Sequence, residues 1–264
     1  EEFPKIFWEN LNKNFPGILA GLSESNKFKK FSVFSWASTL IELSRCDGSI
    51  GALFAVLSEL CVKTLHLLGS ESQKNKYLDK LISGELIGGW CLTEKNFGSD
   101  ATSLTTSAEE IPGGYLINGG KRWIGNAKTA DILFVWARNS STKKVECFIV
   151  EKNTKGVTAN KIQGKLSVKA IVNADITFEN VFIPKENKLE KANSFKDTNK
   201  ILMISRLGIS WVAMGMAINA YDTTIKYISE MKQFGKKISS FQISQIKISK
   251  MMGDIQSMLF FSKR

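Results

Sequence analysis

Histidine, cysteine and proline are scarce in this 264-residue chain, which has one histidine, four cysteines and four prolines. The histidine, His66, lies in an apolar run without partners for a catalytic triad or a zinc site, so we expect it at the edge of the core. The cysteines lack the paired spacing of metal ligands, and they predict buried thiols in a reducing compartment: Cys46, Cys61, Cys91 and Cys147. We therefore expect neither a metal centre nor a disulfide scaffold.

Long hydrophobic runs are also missing from the sequence. No uninterrupted apolar run reaches the roughly 18 residues that cross a bilayer. The first residues, Glu1-Glu2-Phe3-Pro4, lack the basic-then-apolar pattern of a secretory signal. We expect no membrane insertion, and the absent initiator methionine predicts a processed or partial polypeptide.

Arginine is rare although the formal net charge is +11. Five of the 36 basic residues are arginines: Arg45, Arg122, Arg138, Arg206 and Arg264. The lysines are scattered along the chain. Nucleic-acid surfaces concentrate arginine and aromatic side chains on one face, so this pattern excludes a nucleic-acid partner. It favours a solvated lysine-rich surface with a general attraction to polyanionic ligands.

Three segments with different hydrophobic periods divide the chain. Residues 1–86 carry apolar side chains at helical spacing over 31–43 and 53–68, and Ser70 with Gln73 forms a capping box that opens a further helix. These features predict an N-terminal helical domain.

Residues 87–190 change to short β-branched or aromatic runs. Turn sequences separate several of these runs, at Gly113-Gly114, Asn118-Gly119-Gly120 and Lys155-Gly156. Such spacing predicts a compact antiparallel β-barrel or sandwich.

Residues 191–264 return to a helical pattern, with one long proline-free stretch over 197–231 and a second helix over 241–261. Two long helices alone leave apolar surface uncovered, which predicts the first part of a truncated helical bundle. The fold class expected from the three segments is α+β.

Two short motifs in the β segment have the character of a ligand platform. An apolar strand ends in Trp90-Cys91-Leu92-Thr93-Glu94, and Gly98-Ser99-Asp100 then gives a turn with free N–H groups and close backbone approach. The second motif, Lys121-Arg122-Trp123-Ile124-Gly125-Asn126, follows the predicted Asn118-Gly119 hairpin turn. In this order and spacing they resemble the flavin-binding middle domain of the acyl-CoA dehydrogenase and acyl-CoA oxidase family.

The resemblance implies an acyl-CoA dehydrogenase-like fold and FAD-dependent α,β-dehydrogenation of an acyl-CoA thioester by a homo-oligomer, a dimer or a tetramer. It implies that flavin-binding residues are Trp90, Cys91, Leu92, Thr93, Gly98, Ser99, Trp123, Ile124, Gly125 and, from a neighbouring subunit, Gln242. It places Ser99 and Arg206 at the acyl-CoA. Among subfamilies the chain looks most like plant-type peroxisomal short-chain acyl-CoA oxidase, with glutaryl-CoA dehydrogenase next.

Three departures from the family pattern concern catalysis and cofactor binding. The family's usual glutamate base, in a Tyr-Glu-Gly-Thr-like segment, is absent, and the other position used for a base holds Ser205. Relatives carry an arginine for the FAD diphosphate where this chain has Met231, with Lys232, Lys236 and Lys237 nearby as point charges. No catalytic residue is therefore assigned.

Several alternatives stay open from the sequence. The missing helices lie beyond Arg264, or the chain is a decayed, truncated copy. The resemblance is compatible with an active enzyme that passes electrons to oxygen or to an electron-transfer flavoprotein, and with an inactive flavin- or acyl-CoA-binding pseudoenzyme. The expected compartment is the peroxisome, with the mitochondrial matrix as the alternative.

Overall fold

The computed structural model describes residues 10, 11 and 13–262. The N-terminal helices are α1 (Val33–Cys46), α2 (Gly48–Ala55), a π-helical segment (Val56–Val62), α3 (Lys63–Leu68) and α4 (Glu71–Ile82). Polar caps fix their starts: the Asp47 carboxylate accepts from Ser49 N at the start of α2. The predicted capping box of Ser70 and Gln73 is confirmed, since both of its hydrogen bonds are present.

A seven-stranded sheet follows the helices. Its strands are β1 (Gly88–Cys91), β2 (Ser107–Ile111), β3 (Gly114–Gly125), β4 (Ile132–Asn139), β5 (Val145–Glu151), β6 (Val157–Lys161) and β7 (Asn173–Pro184). The order is β1-β4-β2-β3-β7-β6, and β5 pairs with β4. Pairing is mostly antiparallel, but β4 runs parallel to both β1 and β2. Side-chain alternation does not encode strand direction, so the sequence could not reveal these parallel pairs.

Strand β4 is the centre of the sheet, and its two faces support two cores. Phe134 and Trp136 pack in a cluster with the N-terminal helices, whereas Leu133 and Val135 pack in a second cluster inside the β domain. A strand covered on both faces reads as a continuous apolar run, as residues 132–137 do.

The predicted hairpin turn at Asn118-Gly119 is wrong. Both residues lie inside β3, where the pairing with β7 shifts register between Ile117 and Gly119. The turn between β2 and β3 falls at Gly113, since Ile111 pairs with Gly114. Gly119 has φ 140 and lies against Thr106, so the glycine serves close strand packing rather than a turn.

The C-terminal segment holds α5 (Phe195–Glu230), the short strands β8 (Lys232–Gln233) and β9 (Lys236–Lys237), and α6 (Gln242–Ser262). Helix α5 packs on α1, α2, the π-helical segment and α6. Large apolar side chains of α5 and α6 are exposed, among them Met203, Leu207, Ile209, Ile243, Ile246 and Phe261.

Within the described part of the chain, two helical stretches are long and apolar enough to cross a membrane by length and composition. Their mean hydropathies are 1.6 for Gly48–Leu68 and 1.7 for Phe195–Glu230. Isolated polar residues interrupt both stretches, so neither contains an uninterrupted apolar run of that length, although the mean hydropathy stays high. The first is mostly buried inside the protein, as core helices are, so the finding is weak evidence for a membrane span.

Three of the four cysteines are buried and all four are free thiols. Cys46 is exposed, so the expectation of a buried thiol is wrong at that position. It is the last residue of α1, directly before the Asp47 cap, and it is absent from the buried residues of that helix.

Candidate functional site

The two ligand-platform motifs lie side by side in the structure. Backbone N–H of Arg122 donates to the carbonyl of Thr93 at 2.8 Å, and Lys121 Nζ donates to the carbonyl of Leu92 at 3.1 Å. Residues about 30 apart in sequence therefore form one surface. We call the surface formed by residues 92–94 and 121–123 the platform.

A buried ion pair holds the platform together. Lys121 Nζ lies 2.9 Å from Glu94 Oε1, and the side chains are 0% and 5% exposed. Glu94 also accepts from the backbone N–H and the hydroxyl of both Thr105 and Thr106 at 2.7–2.9 Å. A buried carboxylate with this many donors stays charged.

The pKa values of the pair follow from burial and mutual attraction. Burial favours the neutral acid at Glu94, but the Lys121 charge and the threonine donors outweigh it and lower the pKa to about 2. At Lys121, burial lowers the pKa, and the charge of Glu94 opposes that shift. Glu94 is therefore ionised at neutral pH in the folded protein.

Trp123 is presented to solvent by an irregularity in β3. The register between β3 and β7 shifts between Lys121 and Ile124, and Trp123 has φ 62, a region that bulky residues rarely occupy. Asn173 Nδ2 donates to the Trp123 carbonyl at 2.8 Å, and the Arg122 guanidinium lies 5.3 Å from the indole ring. The result is an indole that is 49% exposed beside the end of β1. Strained backbone that displays an aromatic ring is common at ligand-binding sites.

A cavity of about 280 Å³ opens next to the platform. It lies between the turn at residues 94–97 and strands β3 and β7, and Glu94, Arg122 and Asp175 line it. Arg122 Nη1 is 3.0 Å from Asp175 Oδ2, which closes one wall of the cavity with an ion pair.

The other residues assigned to the flavin are arranged in two groups. Trp90, Cys91, Leu92 and Ile124 are buried core side chains, and the Trp90 indole donates to Thr64 Oγ1 at 3.0 Å. Burial raises the pKa of Cys91 to about 12, so its thiol is unreactive. Thr93 and Gly125 are half-buried, and Gly98 and Ser99 are exposed. The second group is therefore the one whose atoms can contact a ligand directly.

Arg206 and Gln242 lie away from the platform motifs in the chain, on the C-terminal helices. Arg206 is exposed on α5, and Gln242 is the exposed first residue of α6, which packs on α5. Ser205 Oγ donates to the carbonyl of Leu202, so this hydroxyl is engaged with its own helix. Met231 follows the end of α5 and precedes the β8–β9 hairpin, whose exposed residues include Lys232, Lys236 and Lys237.

The sequence reasoning missed the residues that hold the platform in place. Glu94 and Lys121 stand inside the quoted motifs without an assigned role. The period-2 alternation of side chains in β3 could have identified Lys121. Its neighbours in sequence face outward, so the Lys121 side chain faces the interior. Among the residues that the structure describes, no group of three or more His, Cys, Asp and Glu side chains could hold a metal ion.

Comparison with known protein families finds matches over most of the chain. Residues 2–85 match "Acyl-CoA dehydrogenase, N-terminal domain", residues 89–181 the middle domain and residues 195–262 the C-terminal domain of the same family. The predicted order of an N-terminal helical, a middle β and a C-terminal helical part is confirmed, with the sheet as a half-barrel.

Individual relatives agree with the family matches. Mitochondrial isovaleryl-CoA dehydrogenase of Oryza sativa subsp. japonica is 36% identical over 220 residues, which are 82% of this chain and 54% of the relative. Short-chain-specific acyl-CoA dehydrogenase of Clostridium acetobutylicum is 34% identical over 248 residues, 92% of this chain and 65% of the relative. The chain thus spans about half to two thirds of the length of these relatives.

A solved structure shows the same fold with a bound flavin. The glutaryl-CoA dehydrogenase of Mycobacterium smegmatis in complex with FADH2 superposes with a TM-score of 0.94 at 29% identity, covering 99% of this chain and 67% of that chain. These relatives are mitochondrial or bacterial dehydrogenases, so the expected kinship with plant peroxisomal oxidases is not supported.

Proposed function

Because the chain belongs to the acyl-CoA dehydrogenase family, we propose that it binds FAD on the platform and takes part in the α,β-dehydrogenation of a short-chain acyl-CoA. The observation that carries this proposal is the display of Trp123. Trp123 has a strained backbone conformation and directly follows Arg122, whose backbone N–H donates to the Thr93 carbonyl, and Lys121, which forms the buried ion pair with Glu94.

The residues of the platform fit a flavin. A flat ring with an apolar face and hydrogen-bonding edges needs an aromatic surface and polar groups at its rim. The half-exposed Trp123 indole supplies the first, and the half-buried Thr93 hydroxyl with the open backbone at Gly98 supplies the second. When bound, FAD supplies the acceptor for a hydride from the β-carbon of the thioester.

The roles of this chain's residues are binding and orientation. Thr93, Ser99 and Trp123 hold the flavin, with the backbone of Gly98 and Gly125 close to it, while Ser99 and Arg206 contact the acyl-CoA. The buried side chains of Trp90, Cys91, Leu92 and Ile124 support the backbone of the platform. Gln242 contacts FAD across a subunit interface of a homo-oligomer. Removal of the α-proton requires a base, and Ser205 is not a carboxylate.

The names of the relatives guide the remaining assignments. Short-chain-specific and isovaleryl-CoA dehydrogenases support a short acyl substrate and the mitochondrial matrix as the compartment. They also favour an electron-transfer flavoprotein over oxygen as the electron acceptor. An assay with an artificial acceptor, run with and without oxygen, separates the two acceptors.

A second candidate is a non-catalytic protein that binds flavin or acyl-CoA. The serine at position 205 and the methionine at position 231 favour it, since neither supplies the charged group found in relatives. This candidate predicts retention of flavin without turnover, even with an artificial electron acceptor.

The experiment that tests flavin binding is the visible absorption spectrum of the purified chain after addition of FAD and removal of the excess. We expect the two visible bands of oxidised flavin, and weaker retention in Thr93→Val and Ser99→Ala. Thr158→Val, an exposed threonine on β6, is the matched control. A colourless protein contradicts the proposal, and unchanged flavin content in both variants contradicts the assignment of Thr93 and Ser99.

A further inference from the structure

A glutamate is buried without a partner between the N-terminal helices and α5. Glu59 lies in the π-helical segment and is 3% exposed, and neither of its carboxylate oxygens has a hydrogen-bond partner among the described residues. π-Helical turns inside helices recur at functional sites. An unpaired buried carboxylate is costly and calls for an explanation.

Gly208 of α5 leaves the room that this carboxylate fills. A β-carbon at position 208 would overlap both oxygens of Glu59, so a larger residue there would force the carboxylate to move. Side chains three residues apart on a helix have β-carbons about 5–6 Å apart. Because Ser205 lies three residues before Gly208, the Glu59 carboxylate is about one helical turn from Ser205, the other position used for a base in the family pattern of the proposed acyl-CoA site. Arg206, by contrast, lies on the exposed face of α5.

Other unpaired polar groups surround Glu59. Burial raises the pKa of Glu59 to about 8, while the nearby Trp36 indole lowers it in part without reaching hydrogen-bonding geometry. Trp36 Nε1 and Ser58 Oγ are also buried without partners, and both side chains adjoin Gly21. The cluster thus holds unused donors and unused acceptors together, as a site for a polar ligand group does.

We propose that Glu59, Trp36 and Ser58 bind a hydroxyl or an amine near the end of the acyl chain. Glu59 and Ser58 accept hydrogen bonds from this group, and the Trp36 indole N–H donates to its lone pair. This inference rests on the proposed acyl-CoA site at α5 and names its substrate class. A site built to pair with a polar group rejects the analogue that lacks it, because its own buried groups then stay unpaired. Glu59 is accordingly a specificity-determining residue, and the substrate is a polar short-chain acyl-CoA rather than a purely aliphatic one.

The test is a calorimetric titration of the FAD-loaded protein with three thioesters: butyryl-CoA, γ-hydroxybutyryl-CoA and γ-aminobutyryl-CoA. We expect at least one polar thioester to bind about tenfold more tightly than butyryl-CoA. In Glu59→Leu the order reverses, and in the matched surface variant Glu109→Leu it does not change. Preference for the hydroxyl identifies a neutral Glu59 as the partner, and preference for the amine identifies its charged form.

A second variant guards against a folding defect. Glu59→Gln keeps the size and the hydrogen-bonding capacity of the side chain, so it keeps a hydroxyl preference and loses an amine preference. Equal or tighter binding of butyryl-CoA by the wild type overturns the inference alone, as does a polar preference that survives in Glu59→Leu. Absence of binding of all three thioesters overturns the proposed function as well.

Discussion

Glu94 and Glu59 are both buried carboxylates, yet their surroundings differ completely. Glu94 lies in the β domain against a buried lysine and four threonine donors, and its pKa falls to about 2. Glu59 lies between apolar helices with no hydrogen-bond partner among the residues that the structure describes, and burial raises its pKa to about 8. Two carboxyl groups with similar burial therefore differ in protonation at neutral pH: Glu94 is ionised and Glu59 is protonated.

The difference follows from the backbone around each residue. The irregular segment between β1 and β2 offers free N–H groups to Glu94, whereas helices use their own N–H groups internally and offer none to Glu59. The satisfied carboxylate makes a rigid support for the platform. The unsatisfied one keeps its hydrogen-bonding capacity for a ligand, and the following substitutions test this contrast.

The largest effect is expected from Lys121→Met, which leaves the Glu94 charge buried without its partner. Breaking a buried ion pair from one side costs about 3–5 kcal/mol of unfolding free energy. Urea denaturation of the variant measures the loss. In the exposed pair of Lys250 and Asp254, Lys250→Met should cost less than about 1 kcal/mol.

The double variant Glu94→Gln with Lys121→Met checks the cause of that loss. It removes both charges, so we expect part of the stability to return. If the double variant is as unstable as the sum of the single variants, the ion pair is not the source of the effect.

A smaller effect, with a distinctive pH dependence, is expected from Glu59→Gln. In the wild type the folded state keeps the proton of Glu59 up to about pH 8, whereas the unfolded state releases it near the ordinary value of 4.5. The unfolded state thus binds fewer protons between these values, so the wild type loses stability as the pH rises. Glu59→Gln has no titrating group at this position and lacks the loss. Its unfolding free energy relative to that of the wild type should therefore increase by about 2–3 kcal/mol between pH 5 and pH 7.

Denaturation at several pH values measures this growth, and Glu94→Gln provides the opposite reference. In the wild type, the Glu94 charge stabilises the fold fully above about pH 4.5, and this contribution is lost only as the pH falls toward 2. The difference in unfolding free energy between Glu94→Gln and the wild type should therefore stay constant from pH 5 to pH 7. A constant difference between Glu59→Gln and the wild type over that interval contradicts the raised pKa.

The contrast also shows what the sequence could predict. Helical spacing and the Ser70 capping box identified the first helices because their signals are local. The two platform motifs were recognisable from their order, although the Glu94–Lys121 pair that joins them depends on a non-local strand register. Glu59 could not be assigned, since a single glutamate in an apolar helical run reads as solvent-facing, and the π-helical segment changes which residues face α5.

The next effect on unfolding free energy is expected from Gly208→Ala, which places an added methyl group against the Glu59 carboxylate. Overpacking of this kind costs about 1–3 kcal/mol of unfolding free energy. Gly253→Ala on α6 has no neighbour within 4 Å at the new methyl and should instead stabilise by up to about 1 kcal/mol. Denaturation of both variants, and of Gly208→Ala combined with Glu59→Ala, measures the coupling. If the combined variant is no more stable than Gly208→Ala, the two residues do not share that space.

The smallest change in unfolding free energy is expected from Trp123→Gly. The same variant should lose much of its affinity for FAD. Glycine adopts φ 62 without strain, so relief of the backbone offsets the lost indole contacts and the unfolding free energy should change by less than about 1 kcal/mol. FAD affinity, measured by flavin fluorescence, should fall about tenfold or more because the aromatic face is gone. Lys143→Gly, at a turn residue with φ 60, relieves similar strain and should leave FAD affinity unchanged. Unaltered FAD affinity in Trp123→Gly would show that the strained indole serves the fold and not the flavin.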